Sequence, residues 1–556
     1  MASIREDNSV SDDGIESSEP MVPARKRRGK RQATPSSKVQ RQSRSSDHVS
    51  RVVEPGVELP PGPKTLEELR DWPISVLGGL RGDSGHDFNL LPRLKHNCAK
   101  KMRFYTDYSG FECPRWGFSA MEKILRADTD NDEFDEPEPW AKFCRTCDYA
   151  EVPSQICCAI HESTGEGCHL SDIIARLHPT AQDWIKSAAP DELDTVEVKA
   201  QAHDVIGEWL LDNCGWCFKT VETNTCPCQV CGDECPTWPA REHGDDSLRI
   251  NASGVTCVAW SNRGLKQKQA HISEIPCHIW LAERKFLAEA DFEDVGFMEC
   301  VAGWPRHRLV TSLGDTHHIV WIIVGPQDKG WPGTRTRLMA AVVNKRRWRW
   351  VGPPTPEECA AAFKRRFGRK IEVGGEVFFF ESDEARMQYY CDIANKRRGQ
   401  EEKEMTISDI LELEDWEKWM LVGPPGLQAR MRAWMDKIPK DKDEPFILDA
   451  DHWPQFGSGG RMFPGQITHS TVMKVERGKW QMATPKEHLQ AMGFSVGNGI
   501  DEPDHEIEKI FKKINLGEKE QKHVIGNGMH IHSMSAWMCF VLGQIERVDE
   551  GSGVGA

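Results

Sequence analysis

Four side chains in the middle of the chain have the types needed for nucleophilic catalysis. Cys257 and Glu299 each lie in or beside an apolar run, and Arg335 and Arg337 stand two residues apart after a third run. A thiol at the carboxyl end of a strand, facing a cleft and near the amino terminus of a helix, can have a lowered pKa and act as a nucleophile. A neighbouring carboxyl can share a proton with the group under attack, and guanidinium groups can hold that group in place. Seen singly, such residues are also typical of structural thiols and solvated charges.

Elements that could bring these side chains together are predicted by an alternation of patterns between residues 102 and 343. The runs MRFYTDYSG, VGFMECV and HIVWIIVG are short and apolar, whereas FSAMEKIL and HIWLAERKFL have helical spacing. This alternation is typical of an α/β fold, a mostly parallel sheet with crossover helices. Because ligands gather at the carboxyl ends of parallel strands, we expect the four side chains to meet at that edge.

Composition limits the class of the protein and its location. The 556 residues exceed what one core usually holds, and the net charge is −15. Residues 1–64 are polar, which predicts a disordered tail, and the span 25–51 holds ten basic residues against one acid, Asp47. Such a run is typical of a nuclear-localisation or nucleic-acid-tethering tail, with a merely solubilising tail as the alternative. Because the sequence shows neither a run of about 18 uncharged apolar residues nor a secretory signal, we expect a nuclear protein with no membrane partner.

Five segments resemble, in their order along the chain, the motifs of the DNA cytosine-5 methyltransferase family. They are Cys257, 299–301, 332–337, 484–494 and 526–527. The series spans residues 102–542 as spaced motifs without continuous similarity. Several positions in or beside these segments depart from the family pattern. Thr256 stands where proline is usual, Cys300 where asparagine is usual, Gly333 where glutamine is usual, and Gln481 and Gln490 where arginines are usual.

The resemblance implies a fold and a reaction. The fold would be α/β, with a Rossmann-like, mostly parallel sheet of the S-adenosylmethionine-dependent methyltransferase type and a smaller target-recognition domain. Cys257 would add to carbon 6 of cytosine, so that carbon 5 can take the methyl group of S-adenosylmethionine. Glu299 would support the ring nitrogen, and Arg337, with Arg335, would hold the base carbonyl and the glutamate. Duplex DNA would be the partner, with the target base flipped out of the helix.

The cofactor site is also implied by the resemblance, because the first strand, turn and helix are similar to the family's cofactor-binding segment. Glu112 occupies the position of the second glycine of the turn, where a Cβ would crowd a close backbone approach. Glu151 is the alternative to Asp148 as the acid that binds the ribose, and each acid is also interpretable as a helix cap or a solvated charge. The predicted cofactor-binding residues are Tyr108, Ser109, Gly110, Asp148, Asp172 and Asn527.

A cysteine-rich insertion is predicted at about residues 178–250. In a chain of this kind, 19 cysteines favour free thiols, zinc or catalysis over disulfides. The pairs Cys214-x2-Cys217 and Cys228-x2-Cys231 could together form a tetrahedral zinc site, since each pair can bind one metal from a tight turn. The alternative is a loop of reduced thiols.

The remaining sequence is divided by position. We predict a catalytic domain at 65–343, a target-recognition domain at 344–478, a return segment of the catalytic domain at 479–546 and a flexible tail at 547–556. The recognition domain places basic residues beside aromatics, which favours contacts with phosphates and guanine edges, a solvated basic face being the alternative. The predicted nucleic-acid-binding residues are Arg346, Arg347, Arg349, Arg365 and Arg366.

Two other functions fit the same motifs. An enzyme of this fold that methylates cytosine in a structured RNA would use the same pocket chemistry. A catalytically lapsed protein that binds DNA or acts as a scaffold would explain the positions that depart from the family pattern.

Overall fold

Helices and strands alternate through most of the described chain. The chain divides into two units, Met1–Pro55 and Gly56–Ala556, and every described residue belongs to the second. The computed structural model describes residues 58–82, 88–128, 138–191, 193–218, 225–238, 241, 244–256, 258–261, 267–397, 404–414, 417–418, 421, 425–438, 443–455, 457, 459–465, 470–497 and 505–548. The basic run at 25–51 and Cys257 lie outside the described residues, as does most of the predicted flexible tail at 547–556.

Eighteen helices and fourteen strands are defined among the described residues. The helices are α1 (Leu66–Arg70), α2 (Trp72–Arg81), α3 (Leu91–Ala99), α4 (Cys113–Ala127), α5 (Glu151–Thr164), α6 (Pro179–Ala188), α7 (Val196–Asp212), α8 (Cys214–Cys217), α9 (Glu274–Glu289), α10 (His307–Leu313), α11 (Pro356–Phe367), α12 (Asp383–Arg397), α13 (Ile407–Leu411), α14 (Pro425–Met435), α15 (Pro485–Ala491), α16 (Glu506–Lys513), α17 (Glu518–Asn527) and α18 (Ile531–Leu542). The strands are β1 (Met102–Asp107), β2 (Ala141–Cys147), β3 (Cys168–Leu170), β4 (Thr225–Pro227), β5 (Glu234–Pro236), β6 (Leu248–Gly254), β7 (Val295–Val301), β8 (His317–Val324), β9 (Arg337–Asn344), β10 (Trp348–Trp350), β11 (Phe446–Asp449), β12 (Val472–Glu476), β13 (Lys479–Met482) and β14 (Ile545–Arg547). Short 3₁₀ turns occupy Ile174–Arg176, Lys268–Ala270, Pro326–Asp328 and Gly375–Phe378.

A seven-stranded sheet organises the fold, with the strand order β3-β2-β1-β6-β7-β9-β8. The first five strands in this order, β3, β2, β1, β6 and β7, pair in parallel, whereas β9 is antiparallel to both of its neighbours. Helices α4, α5 and α9 connect consecutive parallel strands, as crossover connections require. The predicted α/β architecture with a mostly parallel sheet is confirmed.

The strand that leads to the candidate nucleophile is β6, and it ends at Gly254. The apolar run that begins at Gly254 therefore forms a connection after the strand and not the strand itself. The strand LRINASG mixes polar and apolar residues, yet its first six residues are buried. Polar residues of β6 are accommodated because they join buried hydrogen bonds, as when Asn251 donates to Asp107 at 2.7 Å.

The core of the sheet is covered by the last long helix of the chain. Every residue of α18 is buried, and this helix packs against α2, α3 and α4. Helix α11 covers β8 from the same cluster, where the ring of Phe363 lies edge-on to Trp537 and Phe540. The run GMHIHSMSAWMCFVLGQI is apolar enough to predict a buried helix, and the structure confirms this with α18.

A separate apolar cluster lies between residues 387 and 482. It joins α12, α13 and α14 to the antiparallel sheet β11-β12-β13, with Tyr390, Trp434 and Leu448 among its buried members. Helix α11, although it follows residue 344, packs on the central sheet instead. The domain boundaries at 344 and 478 stay a prediction. None of the described helices combines the length and the apolar character that a membrane span requires.

Candidate active site

The candidate catalytic residues Glu299, Arg335 and Arg337 lie at the carboxyl ends of the parallel strands of the central sheet. In the parallel pair β6 and β7, Gly254 is opposite Glu299. In the antiparallel pair β7 and β9, Val301 is opposite Arg337. Strand register therefore brings the predicted acid and the predicted arginine together. Cys257 lies outside the described residues, and in the sequence it follows Gly254, the residue opposite Glu299, by three positions.

Glu299 has the environment expected of a carboxyl that acts on a ligand. The residue is only 6% exposed, and its Oε1 lies 2.9 Å from Nε of Arg337. The two groups form an ion pair but are not aligned for a hydrogen bond, and Oε1 has no hydrogen-bond partner among the described residues. A buried carboxyl oxygen without such a partner is costly, which is typical of functional sites where a ligand completes the bonding.

Arg335 has a different role from Arg337, because its guanidinium contacts backbone. It is buried and donates to the carbonyl oxygens of Gly526, at 3.1 Å, and Gly528, at 2.5 Å. These bonds fix the segment between α17 and α18 against the start of β9. Asn527, in the same segment, is exposed, and its amide lies 3.2 Å from Nε2 of His523. Arg335 is thus placed to position the edge of the site.

The predicted cofactor turn lies at the carboxyl ends of β1 and β2. Ser109 accepts a hydrogen bond from the amide of Cys147 at 3.0 Å, and the amide of Gly110 donates to Oδ2 of Asp148 at 2.9 Å. Burial raises the pKa of Asp148, although the amides of Gly110 and Ala150 oppose the shift. Gly110 has a φ of +57°, and an added Cβ would meet no atom within 4 Å. The turn therefore borders open space that a ligand can fill.

Two further predicted residues flank this turn. The hydroxyl of Tyr108 is buried and has no hydrogen-bond partner among the described residues. Asp172 follows β3 and accepts a hydrogen bond from the amide of Ile174 at 2.9 Å, which caps a 3₁₀ turn. The ends of β1, β2 and β3 thus place Tyr108, Asp148 and Asp172 at the same edge of the sheet as Glu299.

Glu112 takes the backbone conformation that a glycine would supply at this position. Its φ of 63° and ψ of 40° are left-handed, and its side chain is completely buried. The hydroxyl of Thr106 donates to Oε1 of Glu112, and Nε of Arg115 lies 3.6 Å from Oε2. Burial raises the pKa of this carboxyl, with Arg115 opposing the shift. The side chain turns into the protein, so it does not occupy the open space beside Gly110.

Tyr149 was not singled out from the sequence, although it directly follows Asp148. It is 78% exposed at the carboxyl end of β2. An exposed aromatic ring at the mouth of a crevice can stack on a flat ligand ring. The signal that could have found it is an aromatic residue next to the acid that ends a predicted strand.

A buried charge network lies beneath the cofactor turn and was also missed. Asp107, at the end of β1, contacts the guanidinium groups of Arg145, at 3.2 Å, and Arg176. Arg176 also donates to both carboxyl oxygens of Glu283 at 3.0 Å. Burial opposes ionisation of Asp107, but the guanidinium groups of Arg176, Arg145 and Arg284 hold its pKa below its ordinary value. The network joins β1, β2, α9 and the segment after β3.

Three of the predicted nucleic-acid-binding arginines lie at the opposite end of β7. Arg347 pairs with Asp294, which precedes β7, at 2.6 Å. Arg346 donates to the last carbonyl of α9 at 2.6 Å, and the more exposed Arg349 pairs with Glu546 at 2.6 Å. Asp294 precedes Glu299 by five residues, and a strand advances about 3.3 Å per residue, so these arginines lie roughly 15 Å from Glu299 along the sheet.

The other two predicted arginines lie on α11. Arg365 is exposed, whereas Arg366 is buried and donates to the carbonyl of Gly79 at 3.1 Å. Arg366 is thus used inside the protein. A nucleic-acid role for these five arginines stays a prediction.

The cysteines of the insertion are grouped differently from the two sequence pairs. The Sγ atoms of Cys168, Cys228, Cys231 and Cys235 all lie within 4.8 Å of one another. Two of the predicted ligands, Cys228 and Cys231, are in this group. The other two are not, since Cys214 and Cys217 belong to the short helix α8, where Sγ of Cys214 lies 3.8 Å from Oε2 of Glu289.

Comparison with known proteins identifies similar solved structures, whereas no family model and no curated protein matches the chain. The Dnmt2 methyltransferase of S. pombe is 11% identical, with a TM-score of 0.36 and coverage of 80% of this chain and 98% of that chain. The Entamoeba histolytica methyltransferase EhMeth is 12% identical, with a TM-score of 0.34 and coverage of 79% and 98%. A candidate DNA modification methyltransferase encoded within an E. coli prophage is 11% identical, with a TM-score of 0.37 and coverage of 80% and 98%.

The order and direction of the strands complete the description of the fold. Five strands run parallel in the order β3-β2-β1-β6-β7, and the antiparallel β9 is inserted between β7 and β8. Crossover helices join the parallel strands, and the candidate ligand-binding residues lie at their carboxyl ends. The chain thus has the α/β fold with a mostly parallel sheet that its sequence predicted.

Proposed function

We propose that this protein transfers a methyl group from S-adenosylmethionine to carbon 5 of cytosine in a nucleic acid, with duplex DNA as the first substrate. The observation that carries the proposal is the buried carboxyl of Glu299, which has an oxygen without a hydrogen-bond partner among the described residues and lies opposite Gly254, three positions before Cys257 in the sequence. Its ion pair with Arg337 orients it. The basic run at 25–51 supports a nuclear location as part of the same proposal.

The residues present fit the cofactor. The open space beside Gly110, the buried hydroxyl of Tyr108 and the carboxyl of Asp148 lie at the ends of neighbouring strands. S-adenosylmethionine, when bound there, would supply a methyl group on a positively charged sulfur. Two backbone amides fix the carboxyl of Asp148 in place, and we assign it the contact with the ribose of the cofactor.

Each step of the proposed reaction is assigned to a residue of the chain. The thiolate of Cys257 forms a bond to carbon 6 of cytosine, and the displaced electron pair makes carbon 5 nucleophilic. Glu299 donates a hydrogen bond or a proton to the ring nitrogen where charge accumulates, and Arg337 holds the carboxyl in that orientation. After carbon 5 has taken the methyl group, water accepts the proton from carbon 5, and its electron pair restores the double bond between carbons 5 and 6. The bond from carbon 6 to sulfur breaks, which regenerates the thiolate of Cys257, and the ring nitrogen returns its proton to Glu299. The target base must leave the duplex to reach the site.

Methyl transfer from labelled S-adenosylmethionine tests the proposal. The full chain is incubated with duplex DNA or transfer RNA, beside Cys257→Ala and the control Cys158→Ala, which changes a partly exposed thiol on α5. We expect label on DNA with the unmodified protein and the control, and none with Cys257→Ala. Label on RNA alone would favour the RNA enzyme, and intact DNA binding without transfer would favour the lapsed scaffold.

DNA that contains 5-fluorocytosine should in addition form an adduct that survives denaturation, because fluorine cannot leave as a proton does.

Replacing Tyr149 with alanine is expected to weaken binding of S-adenosylmethionine roughly tenfold, or about 1.4 kcal/mol. Stacking of an aromatic side chain on a base contributes energies of this order, and the exposed ring stands beside Asp148. Isothermal titration calorimetry with the full chain measures the affinity. Phe88→Ala, which removes another highly exposed ring, is the matched control and should bind normally. Equal affinity in both variants would remove Tyr149 from the cofactor site.

A further inference from the structure

We propose that Cys168, Cys228, Cys231 and Cys235 bind one zinc ion that fastens the cysteine-rich insertion to the edge of the central sheet. The four Sγ atoms lie within 4.8 Å of one another, and those of Cys168 and Cys231 are 3.9 Å apart. Four thiolates around zinc, at Zn–S distances of about 2.3 Å, are separated by about 3.8 Å, so small side-chain rotations complete a tetrahedron. The proposal is independent of the methyl-transfer reaction.

The backbone around two of these thiols is already shaped for a metal. Between β4 and β5, the amide of Gly232 donates to the carbonyl of Cys228 at 2.9 Å, and the amide of Cys231 points to Sγ of Cys228 at 3.4 Å. Gly232 has a φ of +69°, a left-handed conformation that glycine adopts without strain. This tight turn presents both sulfurs to the same side, and the amide stabilises a thiolate.

The remaining two ligands come from different parts of the chain. Cys235 lies on β5, paired with Cys226 on β4, whereas Cys168 opens β3, the edge strand of the central sheet. The amide of Gln229 donates to the carbonyl of His169 at 3.0 Å, so the turn already lies along β3. A metal bound by all four would hold the turn against this edge strand and would fix the segment that carries Asp172.

Zinc is favoured over other occupants by the donor set and the spacing. Four thiolates in a closed, tetrahedral arrangement are the ligands of structural zinc sites. The sulfurs are close enough for a single ion, whereas an iron–sulfur cluster places its own sulfide and iron atoms between the thiolates. Zinc binding displaces the protons of the thiols and involves no change of oxidation state.

Elemental analysis of the purified full chain tests the site. We expect one zinc per chain, and we expect the zinc content to fall to background in Cys231→Ser and in Cys235→Ser. The matched control is Cys214→Ala, which changes a ligand of the set suggested by sequence spacing alone and should keep the metal. Loss of zinc from the control with retention in Cys231→Ser would overturn the proposal.

A second measurement covers the case in which a variant fails to fold. The unmodified chain, reconstituted with Co²⁺, should show the intense visible bands of tetrahedral cobalt bound to four thiolates, and added Zn²⁺ should abolish them. Iron at one atom per chain, or a disulfide among these cysteines with no metal, would overturn the assignment. Removal of zinc by a chelator should also lower the thermal unfolding temperature, because metal that binds only the folded state stabilises it.

Discussion

Replacing Glu299 with glutamine should lower the rate of methyl transfer by about 100- to 10,000-fold, the range typical of losing a positioned proton donor. Glutamine preserves the size of the side chain but cannot deliver a proton to the ring nitrogen. The carboxyl lies beside Arg337, and the amide oxygen of glutamine can keep the contact with that guanidinium. Single-turnover methylation of duplex DNA measures the rate, and trapping on 5-fluorocytosine shows whether the step with Cys257 is the one affected.

The control for this variant is Glu357→Gln, which changes an exposed acid on α11 and should leave the rate unchanged. Affinity for S-adenosylmethionine and the thermal unfolding temperature should be similar in both variants, since Glu299 lies on β7 and the cofactor turn follows β1. A full rate with Glu299→Gln would show that the carboxyl does not take part in the reaction. A lowered unfolding temperature together with a lowered rate would assign Glu299 a structural role instead.

Replacing Arg176 with methionine is expected to lower the free energy of unfolding by roughly 3 to 5 kcal/mol, as is typical when one partner of a buried ion pair is removed. Arg176 and Asp107 are both almost completely buried, and Arg176 also binds Glu283. Without this guanidinium, two carboxylates lose a partner in the interior. Urea denaturation measures the change. The pKa of Asp107 in the folded protein lies below its ordinary value. The ionised carboxylate therefore contributes stability at neutral pH, and this contribution is lost as the pH falls from the ordinary pKa of aspartate to the lowered one.

Arg349→Met is the matched control, because the same substitution there removes a more exposed ion pair with Glu546. Exposed pairs contribute about 0 to 1 kcal/mol, so the control should unfold at nearly the same urea concentration as the unmodified protein. Equal stability of the two variants would mean that water or a neighbouring group replaces Arg176. Because Asp107 immediately precedes the cofactor turn, Arg176→Met should also weaken binding of S-adenosylmethionine in the folded protein.

The fold was predictable where the sequence pattern reports burial directly. Strand β7 coincides with the apolar run VGFMECV, and β8 covers most of the run HIVWIIVG. The first six residues of β7 are buried, as a continuous apolar run indicates. Strand β6 was harder to locate, because Arg249, Asn251 and Ser253 are polar yet buried. Their burial depends on partners from other elements, which the pattern of one strand does not reveal.

The same distinction applies to the site. The proximity of Glu299 and Arg337 follows from strand order, so the order of motifs was enough to predict it. The contact of Asp107 with Arg176 joins residues 69 apart, and the sulfur contact of Cys168 with Cys231 joins residues 63 apart. Such pairs depend on how the insertion folds back on the sheet edge. Spacing along the chain therefore suggested Cys214 and Cys217 as partners of Cys228 and Cys231. In the structure, the thiols grouped with that pair are those of Cys168 and Cys235.

Helix α18 has a consequence for how this protein is made. All twelve of its residues are buried, and its largest contact is with α4, which is synthesised some four hundred residues earlier. While the ribosome is still translating the intervening chain, the part of the apolar surface of α4 that packs against α18 is uncovered. Uncovered apolar surface of this kind promotes aggregation and is what chaperones bind. We therefore expect chaperones to bind the growing polypeptide until α18 has been synthesised.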